Sequence, residues 1–190
     1  MPDERWNELF SAIRSNRDRA ILALAVSTAA RASELLGLRG ADLDWGDQLA
    51  QVRRKGSGVQ QWLPASAESF VWLRLYLEEL GPDTPVWWTL RRRERSGEVL
   101  ERWPLTYEAL RAVLRRANTA LSTNWTMHDL RHTSALRMVR SQRLSLRDVQ
   151  VILGHAHLTP RRFIWSRTTR KSSAGCINTS PNRQNRPKRR

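Results

Sequence analysis

The densest chemistry in the chain lies in His128-Asp-Leu-Arg131-His132-Thr133. On a helix, positions i, i+3 and i+4 share a face, so His128, Arg131 and His132 are expected to point the same way. Two chemistries fit that face. Histidines four residues apart have the spacing of a metal-chelating helix. Alternatively, the face suits an oxyanion: Arg supplies a planar fork of donors and His a titratable proton. Arg131 decides against the metal, because it would set a permanent cation among the ligands. The residue after the first histidine is also Asp129, where a zinc-hydrolase helix carries Glu. No metal and no cofactor is therefore expected.

Two further segments carry the same residue types, Arg31-Ala-Ser-Glu34-Leu-Leu-Gly-Leu and Leu153-Gly154-His155-Ala, and Lys55 stands in Lys55-Gly-Ser-Gly. Taken singly, Arg31 or His155 is more often a surface residue or a satisfied core residue. Their order and local setting give them weight. Arg31 follows a strongly apolar stretch, Lys55 sits at a strand turn, His128-x-x-Arg131 opens a helix and Leu-Gly-His155 closes the next one.

The elements that must position these residues follow from the hydrophobic pattern. Residues 3–38 read as helical, with Trp6, Leu9, Phe10 and Ile13 at helical spacing and Ile21 to Val26 apolar throughout. Gly37 is a plausible helix stop. Over 42–64 the period changes, and two short strands are expected around the Lys55 turn. Residues 66–80 form an amphipathic helix with Phe70, Leu73, Leu77 and Leu80 on one side. Residues 83–105 are irregular and include the run Arg91-Arg92-Arg93. Helices are expected again over 106–121, from Asn124 to about Arg140, and from Leu146 to Gly154. The fold class is mainly α with a small antiparallel β-sheet.

Charge divides the chain differently. Its net charge is +15, with 33 Lys and Arg against 18 Asp and Glu. Such a surplus suits a polyanionic partner, first of all nucleic acid. No apolar stretch is long enough to span a membrane, and the opening residues are not a signal peptide. A cytoplasmic location follows by default. The single cysteine, Cys176, excludes an internal disulfide or a cysteine cluster for zinc. From Arg161 to Arg190 there are ten basic and no acidic residues. Apolar periodicity stops there, and Ser, Thr, Asn, Pro and Arg dominate. Residues 1–165 are thus expected to form one domain and 166–190 a disordered basic tail.

The ordered set of Arg31 with its Ser-Glu-Leu context, a hairpin Lys55, His-x-Leu-Arg-His-Thr and Leu-Gly-His resembles the catalytic domain of the tyrosine recombinases, the phage-integrase family. The likeness covers roughly residues 20–160. It implies a metal-free cleavage of double-stranded DNA in which a tyrosine hydroxyl attacks a phosphodiester, a 3′-phosphotyrosyl link forms and a 5′-hydroxyl leaves. Without a metal, cationic side chains must balance the phosphoryl oxygens. By the resemblance, Arg31 and Arg131 hold the non-bridging oxygens and Lys55 protonates the leaving oxygen. His128 takes or relays the tyrosine proton, and His155 contacts the phosphate or places the nucleophile. Glu34 would orient Arg31 or nearby backbone, and His132 would be a structural partner on the helix face. Other recombinase protomers on the DNA and a bacterial nucleoid location are implied in the same way.

The pattern breaks at the nucleophile. The family places its tyrosine about nine residues after the Leu-Gly-His histidine, which here is Ile164, or Phe163 if one residue is missing before Pro160. Neither has a hydroxyl. The two tyrosines, Tyr76 and Tyr107, precede the His128 helix and fit amphipathic helices as half-buried residues. The abrupt change of composition after Thr159 favours a shifted reading frame over a natural basic tail. The family's N-terminal DNA-clamping domain has no counterpart in the roughly 20 residues before the core, so the chain reads as trimmed at that end too. Three functions follow from this reading: an active or formerly active recombinase, a module that holds DNA without cutting it, and a gene remnant.

Overall fold

A computed structural model describes residues 1–80, 85–89, 102–141 and 144–154. Seven α-helices, a short 3-10 helix (Gly40–Asp42) and a three-stranded sheet are formed among them. The centre is α2 (Asn16–Thr28), started by Ser15, whose hydroxyl accepts the Asp18 N–H. Its Ile21, Leu22, Leu24 and Ala25 are all buried. A helix apolar on every side must be covered on every side. It packs against α4 (Ala67–Leu80) and α6 (Met127–Arg140).

The helical stretch expected over 3–38 is three helices, α1 (Asp3–Ala12), α2 and α3 (Ala32–Leu36). Extended backbone at Ile13 and Ser15 makes the first break. Ala29, left-handed at φ 54°, makes the second. The first break carries a capping signal in Ser15 and Asp18, whereas the second lies at an alanine, which sequence alone gives no reason to exclude from a helix.

The sheet is antiparallel in the order β1 (Leu43–Asp44), β2 (Leu49–Arg53), β3 (Gln60–Pro64). Two strands were expected and they are β2 and β3. The third, β1, is two residues long, too short to show a period. The Asp44 carboxylate closes the turn after it by accepting the N–H groups of Gly46 and Asp47. Alternation along β2 turns Ala50 and Val52 to the core. The chain then turns at Lys55 to Gly58, with Gly56 at φ 99° and Gly58 at φ 67°, conformations that glycine adopts without strain.

In α4, Phe70 and Leu73 are buried as expected, and so is Tyr76. Tyr76 is therefore not half-buried: it is 1% exposed, stacks on Trp87 and accepts the Trp88 N–H at 3.0 Å. The segment 85–89 that receives it is tied by bridges from Pro85 to Arg39 and from Trp88 to Pro104. Residues 83, 84 and 90–101 of the stretch expected to be irregular, Arg91 to Arg93 among them, lie outside the described residues. Tyr107, which opens α5 (Tyr107–Leu121), is exposed.

Helices α6 and α7 (Leu146–Ile152) begin with reciprocal caps. Thr126 accepts from Asp129 N and Asp129 accepts from Thr126 N; Ser145 and Asp148 repeat the pattern. The architecture is mainly α with a small antiparallel sheet. The division at 165 and the disorder expected for 166–190 concern residues outside those described. No helix among the described residues is long and apolar enough to cross a membrane.

Candidate functional site

The site grows from Glu34, whose side chain is 1% exposed. It sits in the first turn of α3, directly after Arg31. Its Oε2 accepts the backbone N–H of Arg31 at 2.8 Å, and its Oε1 accepts Arg31 Nη1 at 3.0 Å. From the sheet, Arg54 Nη1 donates to Oε2 at 3.0 Å and the Lys55 N–H to Oε1 at 3.3 Å. One buried carboxylate therefore fixes both Arg31 and the start of the Lys55 turn. Burial alone would raise its pKa. The Arg31 N–H, the charge of Arg54, the Lys55 N–H and the Arg31 guanidinium outweigh that and hold it below the ordinary carboxylate value.

Arg131 arrives from α6. Its Nη1 donates to the carbonyl of Ala29 and its Nη2 to that of Leu153 at 2.6 Å. The first acceptor is available because Ala29 is left-handed and ends α2 there. Arg131 is thereby anchored between the α2–α3 turn and the end of α7. Its pKa is lowered, by burial first and then by the charge of Arg31; Glu34 opposes this and Arg54 adds to it. Three guanidinium groups thus share one electrostatic neighbourhood with a single carboxylate.

His128 and His132 are placed differently. Their rings meet edge to face with Nε2 atoms 2.8 Å apart, on the exposed side of α6. The common face expected for His128, Arg131 and His132 is divided. At about 100° per residue, Arg131 and His132 lie on opposite flanks of His128. Arg131 takes the buried flank and the histidine pair the open one. Asp129 is used by the helix cap, and its pKa is lowered by the Thr126 hydroxyl above all. Among the described residues no group of three or more His, Cys, Asp or Glu could hold a metal ion. The Lys55 side chain is exposed at the hairpin turn. His155, Phe163 and Ile164 lie outside the described residues.

Arg54 is the residue that the sequence reading missed. Its Nε donates to Gln61 Oε1 at 2.8 Å, and its Nη2 to the carbonyl of Ile152. Its pKa is lowered by burial, against the pull of Glu34. A signal was present: Ala50, Val52 and Arg54 alternate, so the third continues the inward face of β2.

Gly154 of the Leu-Gly-His segment closes over Arg54. It is left-handed at φ 67°, and a Cβ built there would stand 3.1 Å from Arg54 Nε and 3.2 Å from Cζ. Gly154→Ala is therefore expected to destabilise the fold by about 1–2 kcal/mol from the left-handed backbone alone, with crowding of Arg54 adding to it. A urea unfolding midpoint measures this. An unchanged midpoint would mean that the turn relaxes freely.

Comparison with known proteins agrees with the resemblance. The Phage integrase family matches residues 1–161. The tyrosine recombinase XerC of Chromobacterium violaceum is 35% identical over 150 residues, covering 75% of this chain and 46% of that protein. XerA of Pyrococcus horikoshii is 25% identical over 170 residues, covering 90% and 57%. The chain thus spans about half the length of the relatives it matches. Among solved structures, XerA recombinase superposes with a TM-score of 0.64 at 22% identity, covering 82% of this chain and 54% of that one. The lambda integrase catalytic core gives 0.60 at 22% identity, covering 80% and 88%. These superpositions speak for the fold; membership rests on the family match over most of the chain, and on that ground the chain belongs to the phage integrase family of tyrosine recombinases.

Proposed function

We propose that Arg31, Arg131 and Lys55 bind a phosphodiester group of double-stranded DNA, with His128 and His155 beside it, as the strand-breaking core of a site-specific tyrosine recombinase. One observation carries this reading. Arg31, Arg54 and Arg131 face the single carboxylate of Glu34, a surplus of two positive charges at a partly buried place. Such a surplus is costly unless an anion completes it. Arg131 spends two donors on carbonyls and Arg31 one on Glu34, so each guanidinium keeps N–H groups for a phosphate oxygen. In the family's reaction Lys55 would protonate the leaving 5′-oxygen, His128 would relay the proton of the attacking hydroxyl, and His155 would touch the phosphate or place the nucleophile.

A second reading is favoured by the tyrosines. The chain has two, Tyr76 is buried and Tyr107 lies beside Arg111. On this reading the chain holds DNA without cutting it, a non-catalytic remnant of an integrase. The DNA of the bacterial nucleoid is the partner in either case, with other recombinase protomers bound along it. A lambda integrase dimer has been solved bound to a COC′ core site, with a TM-score of 0.61 to this chain.

Binding is expected to be salt-sensitive and mostly independent of sequence, because each phosphate contact releases counterions. In a fluorescence anisotropy titration, Arg31→Ala with Arg131→Ala should raise Kd for a short duplex by roughly one to two orders of magnitude, and each lost contact should flatten the salt slope by about 0.9. Binding equal to that of the native chain would remove the pocket from the interface. Deleting 161–190, with its ten basic residues, should flatten the slope independently. An unchanged slope would assign binding to the remaining residues alone.

A further inference from the structure

We infer that Arg54 is a positioning residue of the phosphate site, holding Arg31, Lys55 and the Gly154 turn in one geometry. The inference rests on the reading of the pocket as a DNA phosphate site. Arg54 itself is 5% exposed and is not placed to meet DNA. Each of its three nitrogens points to a different element. Nη1 donates to Glu34, which in turn holds the backbone and the guanidinium of Arg31. Nε donates to Gln61, across the hairpin on β3, which also donates to Val151 on α7. Nη2 donates to Ile152, at the end of α7.

Gly154 lies in contact with the side chain of Arg54, where a Cβ would press on the guanidinium. Arg54 also accepts through its backbone carbonyl the Gly58 N–H, and gives its own N–H to Val59, so it frames the turn that presents Lys55. The candidate residues come from segments far apart in sequence. Arg54 touches, directly or through Glu34, the segments that carry Arg31, Lys55 and Gly154. Arg131 is joined less directly, since it donates to Leu153, between Ile152 and Gly154.

A lysine at this position would keep the charge but not the planar fork in three directions. That distinction separates positioning from simple attraction of DNA by charge. The test measures duplex affinity and its salt dependence for the full chain and for Arg54→Lys, Arg54→Met and Arg31→Ala. Unfolding midpoints establish that each variant is folded at the assay temperature. The expected result is that Arg54→Lys loses affinity about tenfold, as Arg54→Met does, and that its salt slope falls by roughly one contact's worth, about 0.9. Arg31→Ala should cost less on the Arg54→Lys background than alone, since the pair acts as a unit.

If Arg54→Lys is folded and binds like the native chain while Arg31→Ala binds weakly, the assignment of Arg54 falls and the pocket stands. If both variants bind like the native chain, the pocket falls and Arg54 with it. Should Arg54→Lys not fold, Gln61→Met decides. It removes the acceptor of Nε without stranding the buried charge, and should weaken binding about two- to threefold with a smaller loss of slope in the same direction. Affinity and slope unchanged in a folded Gln61→Met would overturn the proposal.

Discussion

Incubated with a nicked suicide duplex, this chain is expected to give no covalent protein–DNA adduct, and a version rebuilt after His155 is expected to give one. The rebuilt version carries a tyrosine nine residues beyond His155 and a helical continuation. Nucleophilic catalysis needs an atom that attacks phosphorus in line with the leaving oxygen. Phe163, Ile164 and Trp165 offer none. Thr159 and Ser166 have hydroxyls, but an aliphatic alkoxide is far harder to form than a phenolate, whose acid has a pKa near 10. Their side chains are also much shorter than that of a tyrosine.

Neither existing tyrosine is expected to substitute. Burial pushes Tyr76 up to about 12, and its oxygen already accepts the Trp88 N–H. Tyr107 lies on the exposed start of α5. Water could attack in their stead, but without positioning most of the rate is lost. Denaturing gel electrophoresis of labelled DNA reads the outcome as all or nothing. An adduct from the unmodified chain would sink the prediction. An adduct from the rebuilt chain alone would mean that Arg31, Lys55, His128, Arg131 and His155 need only a nucleophile.

What sequence discloses about this site depends on whether the placing interaction is local. The starts of α6 and α7 lie where Thr126 with Asp129 and Ser145 with Asp148 can cap a helix, because a cap spans only three residues. The Lys55 turn is marked by two glycines that the backbone requires at positive φ. Glu34 was expected to orient Arg31, its neighbour by three residues, and it does contact Arg31. The anchoring of Arg131 was not legible. It depends on the carbonyl of Ala29, 102 residues away, exposed by a left-handed conformation that alanine does not advertise. Arg54 was hidden for another reason. Read within a basic turn, Arg53-Arg54-Lys55 looks like a solvated charge run, whereas the two-residue period of β2 separates Arg54 from its neighbours and turns it inward. Tyr76 was misjudged because its cover, Trp87, comes from a loop segment without a period of its own.

The buried carboxylate at the centre makes the largest stability prediction. Glu34→Ala is expected to destabilise the fold by about 3–5 kcal/mol, since breaking a buried ion pair strands the partner charge. Arg54, with a side chain 6% exposed, would lose its counter-ion and could not reach water. Arg31 and Arg131, which already repel each other, would lose the charge that offsets them. Two backbone N–H groups, of Arg31 and Lys55, would lose their acceptor as well. Against the total stability of about 5–15 kcal/mol usual for a domain, the loss is large enough to leave the chain barely folded. Glu34→Gln keeps the shape and one acceptor oxygen, but it too strands the Arg54 charge and sets an NH2 against two donors, so it should cost a comparable amount, about 3–5 kcal/mol.

The pH dependence has a definite sign. The folded pKa of Glu34 lies below its unfolded value, so its stabilisation is complete above the ordinary carboxylate range. It is lost as the pH falls through the depressed folded value. Urea midpoints measured from neutral pH downward should therefore fall more steeply for the native chain than for Glu34→Gln, and the two curves should converge in acid. Parallel curves, or a Glu34→Ala midpoint equal to the native one at neutral pH, would mean that the three arginines are held without the carboxylate. A DNA duplex supplies the opposite check, because a ligand that binds only the folded state raises the midpoint by mass action. With Glu34 removed, phosphate oxygens become the remaining anions for Arg31 and Arg131, so added duplex should recover part of the lost stability in Glu34→Ala and clearly less in a variant that also lacks those two arginines.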